Sequence, residues 1–238
     1  MPPSDHPSIP PANAKLLLWD IDGTLVSVGK AGEIALVIAM ERLFGVKTDI
    51  QKIDFRGRTD TWIGVQLFKQ AGIEETPRNI HDFKEAYLAV LKEQLPMSVG
   101  KVHPGILDIL EQARLRPDCV NALLTGNLER GAKIKLEHYD VWSYFEFGAF
   151  ADDSQLRNEL GPVALKRALE KTGLHFKPEQ VYVIGDTPHD IECGKVIGAK
   201  TIAVATGGYS RVELEAHAPT ALFDDLRHPE KFFKLLDP

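Results

Sequence analysis

An apolar run that breaks off into two carboxylates, a glycine and a hydroxyl leaves few folds open. Residues 15–25 read Lys-Leu-Leu-Leu-Trp-Asp-Ile-Asp-Gly-Thr-Leu. The apolar part has the length of a buried strand rather than of a helix. Its polar end then lies at the strand's carboxyl edge, where open α/β sheets place their ligands. Asp20 and Asp22 stand two positions apart and would share a face of an extended strand. Gly23 allows a sharp turn and a close approach of backbone to a ligand. Two acids beside a hydroxyl suit a divalent cation and a phosphate. Read alone, the same Asp-x-Asp-Gly also suits a plain turn with its side chains bonded to local backbone.

The rest of the chain supplies the sheet. Strand patterns fall at residues 15–20, 119–124, 144–150, 181–184, 201–204 and 222–223. Helical patterns lie between them, at 106–115, 130–138, 160–171 and in the stretch that ends near 197 before Gly198. Strands alternating with helices imply parallel crossovers, so the expected fold is α/β with a doubly wound, Rossmann-like parallel sheet. Between residues 27 and 100 strand signals are few, and helices are expected at 33–44, 60–71 and 77–95. Asp60 is the expected cap of the second of these and Gly72 its stop. The expected organisation is a core of residues 11–27 and 101–238, a helical insertion at 28–100, and a flexible Pro- and Ser-rich tail at 1–10.

Composition excludes some functions. A formal net charge of −6 over 238 residues argues against a nucleic-acid partner, which wants a basic surface. No apolar run reaches the roughly 18 residues that span a membrane, and the first residues lack the apolar core of a secretory signal. Cys119 and Cys193 lie far apart in no metal-like spacing, and read as buried free thiols in a reducing cytoplasm. The chain is expected as a monomer or weak homodimer.

Three of the expected strands end in polar groups that a parallel sheet would gather at one edge. These are Asp20 and Asp22, then Thr125-Gly126-Asn127, then Gly185-Asp186 with Asp190. Together they resemble the motifs of the haloacid dehalogenase (HAD) superfamily of aspartate-nucleophile phosphohydrolases. Asp20-x-Asp22-Gly23-Thr24 matches its first motif, Thr125-Gly126-Asn127 looks like its second, and Gly185-Asp186-x-x-x-Asp190 matches its acidic fourth. The resemblance extends over residues 15–223, helical insertion included.

What the resemblance implies follows charge logic. A carboxylate nucleophile is repelled by an anionic phosphate ester, and Mg²⁺ between them neutralises both. Asp20 would be the nucleophile, forming an aspartyl-phosphate, and also a metal ligand. Asp22 would protonate the leaving oxygen and later activate water, its backbone carbonyl touching the metal. Asp186 would be a metal ligand, and Asp190 would ligate through water or hold a basic residue in place. Thr125 and the backbone around Gly23, Thr24, Gly126 and Asn127 would meet the phosphoryl oxygens. The family's basic residue precedes the helix that leads to the fourth strand. Arg157 and Lys166 both qualify, Arg157 lying nearer the helix start, and the family's Lys-Pro pair is absent.

Asp22 favours phosphoryl transfer over dehalogenation, whose leaving halide needs no proton. The helical insertion looks like the family's cap, a lid that closes over the site. Within it, Phe55-Arg56-Gly57-Arg58-Thr59-Asp60 resembles the substrate-facing loop of phosphoglycolate-phosphatase-like members. Arg56 and Arg58 would meet a second negative charge on a substrate, or are solvated arginines at a capped helix start. No lysine stands in that loop, which argues against Schiff-base chemistry, although Lys52 is close. His103 is expected to shape the return from the insertion and His189 to sit at the rim of the site. The expected partner is a small phosphorylated metabolite, with 2-phosphoglycolate first and sugar phosphates next. A β-phosphoglucomutase-type mutase and a non-catalytic phospholigand binder are the alternatives.

Overall fold

The structure, a computed structural model, describes residues 10–237. The tail expected at residues 1–10 lies outside the described residues except for Pro10. Six strands form one parallel sheet: β1 (Lys15–Trp19), β4 (Cys119–Leu124), β5 (Gly148–Ala149), β6 (Val181–Gly185), β7 (Lys200–Val204) and β8 (Ala221–Phe223). Their order across the sheet is β5-β4-β1-β6-β7-β8. The chain therefore starts at the centre, winds out through β4 to β5, and crosses back past β1 to β6. That reversal opens a crevice at the carboxyl ends of β1 and its neighbours, the usual ligand position of a doubly wound sheet.

The unbroken apolar run of β1 follows from burial on both faces. Leu17 and Trp19 join one core, Leu16 and Leu18 the other. The second core is closed by α6 (Arg157–Thr172) and by Cys193 of α7 (Pro188–Val196). The first is closed by α4 (Ile106–Arg114), α5 (Glu129–His138) and α9 (Pro229–Leu236), with Phe232 stacked on Trp19 at 5.5 Å between ring centroids. Cys193 is buried, whereas Cys119 is only partly so; both are free.

Between β1 and α4 the chain leaves and returns through a small antiparallel ribbon, β2 (Val26–Ser27) against β3 (Lys101–Val102). The ribbon carries α1 (Ala31–Phe44), α2 (Asp60–Ala71) and α3 (Pro77–Gln94). Phe44, Phe68 and Phe83 pack edge to face among these helices. Strands of two residues are too short to leave a pattern, so the stretch after residue 25 reads in sequence as a linker.

Four local expectations change. Thr59, not Asp60, caps α2, its hydroxyl accepting the Trp62 N–H at 3.1 Å. The third strand shrinks from 144–150 to Gly148–Ala149, because Trp142–Tyr144 turn as a 3₁₀ helix. Helix α6 opens at Arg157 rather than 160. A short helix α8 (Arg211–Glu215) and α9 have no counterpart in the sequence reading.

Candidate active site

At the carboxyl end of β1 the backbone turns through Gly23 at φ +86°. A side chain there would run into the Asp186 carboxylate from β6. Asp20, Asp186 and Asp190 each offer a carboxylate oxygen, all within 4.8 Å of one another, and all three are buried. Thr24 is buried beside them and donates to Asp186 Oδ1 at 3.0 Å.

Arg157, the first residue of α6, lies buried under this cluster. Its Nη2 donates to Asp20 Oδ1 at 2.9 Å, to the Leu124 carbonyl at 3.0 Å, and to Asp190 Oδ1. Lys166 is exposed on the same helix, 3.9 Å from Glu170. Geometry thus brings Arg157 to the acids and leaves Lys166 on the surface. Both Asp190 oxygens are engaged, Oδ1 by Arg157 and Oδ2 by the Thr187 N–H at 3.0 Å and hydroxyl at 2.7 Å.

Charge is crowded here. Burial pushes the Asp20 carboxyl up to about 7, against the pull of Arg157 and with Asp190 adding to the rise. Burial, then Asp20 and Asp190, hold Asp186 well above the usual carboxylate range. Burial works against the Arg157 charge, but Asp190 and Asp20 outweigh it and keep the guanidinium ionised. Asp190 serves as partner of that charge.

The second polar tip sits alongside. Thr125 is fully buried, and its hydroxyl accepts the backbone N–H of Asn127 at 3.3 Å and the Asn127 amide at 3.0 Å. The amide also donates to Asp22 Oδ2 at 2.8 Å. Three residues that the sequence reading did not single out complete the site. Lys135 of α5 is buried and donates to Asp22 Oδ2 at 2.6 Å and to Asn127 Oδ1 at 2.5 Å. The loop after β7 brings Thr206, whose hydroxyl donates to the Gly23 carbonyl at 2.5 Å, and Gly207, where a Cβ would collide with Asp186. The signals were available: a lysine on the buried stripe of α5, and a strand ending in Thr-Gly-Gly like the other strand tips.

The helical insertion covers the edge. Asp60 N–H donates to the Gly126 carbonyl at 2.7 Å, and Asp60 Oδ2 accepts the Leu128 N–H at 2.9 Å. Thr59 and Thr61 donate to the carbonyls of Gln155 and Ala151 at 2.7 and 2.9 Å. Burial raises the Asp60 carboxyl to about 6, with Lys135 and the Leu128 N–H pulling the other way. Between insertion and sheet edge lies a cavity of about 420 Å³. Asp20, Asp22, Asp186, Gly126, Asn127, Arg157 and Lys135 line its sheet side; Arg56 and Arg58 line the insertion side. Arg56 is exposed and reaches the Gly208 carbonyl at 3.4 Å, while Arg58 lies over the Trp62 ring at 4.8 Å. His189 packs at the Gly57 turn, with its charge disfavoured by burial and by Arg58. His103 is buried where the chain leaves β3.

The donor set fits a small hard cation: all oxygen, mostly carboxylate, buried, and with glycines keeping side chains away from Asp186. Carboxylates crowded this closely resist ionisation until a cation joins them.

Known proteins share this arrangement of chain. Residues 158–229 match the family model described as HAD-hydrolase-like. The pyrophosphatase PpaX of Bacillus mycoides (strain KBAB4) is 40% identical over 214 residues, 88% of this chain and 92% of that one. The phosphoglycolate phosphatase of Aquifex aeolicus (strain VF5) is 27% identical over 226 residues, 94% of this chain and 97% of that one. Among solved structures, CbbY from Rhodobacter sphaeroides in complex with phosphate superposes with a TM-score of 0.72 at 18% identity, covering 90% of this chain and 96% of that one. That likeness speaks for the fold. The chain belongs to the haloacid dehalogenase superfamily and is a HAD-type phosphatase. No helix among the described residues is long and apolar enough to cross a membrane.

Proposed function

We propose that this enzyme is a Mg²⁺-dependent hydrolase of small anionic phosphate esters that works through an aspartyl-phosphate on Asp20. The observation that carries the reading is Arg157, buried and bonded to both Asp20 and Asp190 on the wall of the cavity. A permanent guanidinium beside a buried carboxylate is a station for a transferring phosphoryl group. Asp20, Asp186 and the Asp22 carbonyl would hold Mg²⁺, which offsets charge between nucleophile and ester. Asp190, fully engaged by Arg157 and Thr187, holds the arginine rather than the metal.

In the first step an Asp20 oxygen bonds to phosphorus as the ester P–O bond breaks. The departing oxygen keeps the bonding pair and takes the proton of Asp22, leaving as the alcohol. In the second, a water oxygen bonds to phosphorus while the acyl-phosphate P–O bond breaks, and the water proton passes to Asp22. Asp20 is a carboxylate again and inorganic phosphate departs. Residues 28–100 act as the cap, shutting water from the first step, with Arg56 and Arg58 facing the second anionic group of the substrate. Gly126 and Asn127 form the wall beside the phosphoryl group, and Thr125 holds Asn127 in place.

Phosphate release across a panel tests this: 2-phosphoglycolate, sugar phosphates and pyrophosphate, each with Mg²⁺ and with EDTA. Release that EDTA stops and Mg²⁺ restores is expected. Asp20→Asn should lower turnover at least about 1,000-fold with the fold intact. Near-normal turnover of that variant sinks the nucleophile. Isomerised sugar phosphate without free phosphate hands the site to a mutase.

A further inference from the structure

Lys135 is a buried, charged site group that the proposed chemistry leaves without a task. It is buried, it sits on α5 rather than on a strand tip, and its ammonium lies on the cavity wall. A buried lysine is unfavourable unless its charge is answered. Here the answer comes from inside the site. Its Nζ donates to Asp22 Oδ2 and to Asn127 Oδ1, and the Asn127 amide returns a second bond to the same Asp22 oxygen. Asp22 Oδ2 thus takes two N–H bonds from two side chains that are bonded to one another, whereas Asp22 Oδ1 has no protein partner. A triangle of three hydrogen bonds fixes the carboxylate plane. Asp22 itself is only half-buried and stands just before the turn at Gly23.

We propose that Lys135 is a positioning residue that, with Asn127, aims the Asp22 carboxylate for proton transfer to the leaving oxygen and from water. This rests on the reading of Asp22 as the acid and base. Cap closure strengthens the arrangement: Asp60, brought to the core by its bond to the Leu128 N–H, adds a second negative charge that favours the Lys135 ammonium.

The test exploits the leaving group. An alkoxide needs a proton to depart, whereas p-nitrophenolate departs as a stabilised anion. In Lys135→Met, kcat for an alkyl phosphate such as 2-phosphoglycolate should fall about 10- to 100-fold. KM should change little. With p-nitrophenyl phosphate, the first turnover should survive as a burst of one p-nitrophenol per site, followed by slow release as water attack lags. Lys135→Arg, which keeps charge and donors, should restore most of the loss. Lys135→Gln replaces the methionine variant if thermal melts show that one unfolded at the assay temperature.

Asp22→Asn is run in parallel, alone and combined with Lys135→Met. If Lys135 acts through Asp22, the double variant is no slower than Asp22→Asn within about twofold. Equal loss of the first turnover on both substrates in Lys135→Met, or full additivity in the double variant, overturns the proposal and leaves Asp22's role standing. Absence of the leaving-group split in Asp22→Asn itself removes the acid–base reading, and the proposal falls with it.

Discussion

The two ends of β1 treat charge in opposite ways. At its amino end, Lys15 reaches Asp118 at 2.8 Å and Asp237 at 3.1 Å. Arg116 meets the same two acids at 2.9 and 2.7 Å. Two cations face two anions, partly open to water, and the square ties β1 to the loop before β4 and to the end of α9. The Arg116 hydrogen bonds hold both carboxyls below their usual range, Asp237 at about 2. At the carboxyl end, among the described residues, Lys135 pairs with Asp22 and Arg157 with Asp20 and Asp190, while Asp186 has no ion-pair partner. Here burial drives Asp20 and Asp186 up instead. One end is matched and closes the fold. The other is short of positive charge and becomes comfortable only when a ligand supplies it. A single strand thus anchors the molecule at one tip and holds unspent repulsion at the other.

Removing a cation from the crowded end should do the most damage. Arg157→Ala leaves Asp20 and Asp190 buried without their partner, a kind of change that costs about 3–5 kcal/mol. It should also cut turnover at least about 100-fold. Lys166→Ala, an exposed change on the same helix, should leave melting temperature and turnover within error. Loss of turnover in Lys166→Ala with Arg157→Ala near normal would reverse the assignment. Removing an anion should do the opposite to stability. Asp186→Asn should raise the melting temperature in EDTA by about 2–4 °C, roughly 1 kcal/mol for a chain of this size. It should also abolish the upward shift that Mg²⁺ gives the unaltered protein. A lower melting temperature in EDTA would show that the crowded end is not strained by like charge.

The sheet and its tips were legible because each strand changes from apolar to polar where it leaves the core. Asp20 and Asp186 meet at that edge, and Arg157, one of the two basic candidates that the resemblance left open, joins them. What escaped reading is tertiary. Asp60 has the look of a local helix cap, and chain-local logic assigns it so; Thr59 takes that role, and the Asp60 carboxylate crosses to the N–H before α5. Lys135 stands among Gly131, Ala132 and Leu136 on the buried face of α5. Helical period marks that face, but only folding brings Asp22 opposite the lysine. The resemblance implies a phosphoryl contact for Thr125, and in the fold its hydroxyl oxygen also accepts the Asn127 N–H and amide. Strand-tip grammar locates a residue at the site without fixing which way its side chain points.

The contrast between the two ends also has a pH signature. Asp118 and Asp237 have folded pKa values below the ordinary 3.8. Their contribution is fully present above that value and is lost as pH falls through the folded values, between about pH 4 and 2. Asp20 and Asp60, raised to about 7 and about 6, behave in reverse. The folded state holds their protons more tightly than the unfolded chain does, so metal-free stability rises as pH drops from about 7 toward 4. Together the two ends give a dome with its top near about pH 4. Urea melts in EDTA from pH 2 to pH 8 would trace it. Asp118→Asn should lower the melting temperature by only about 1–3 °C at neutral pH, since the pair is partly solvated. It should also flatten the acid limb and leave the limb above about pH 4 unchanged. Asp186→Asn should flatten the upper limb and spare the acid one. If either variant flattened both limbs, the two ends of β1 would be one coupled network, and the division of labour along the strand would be lost.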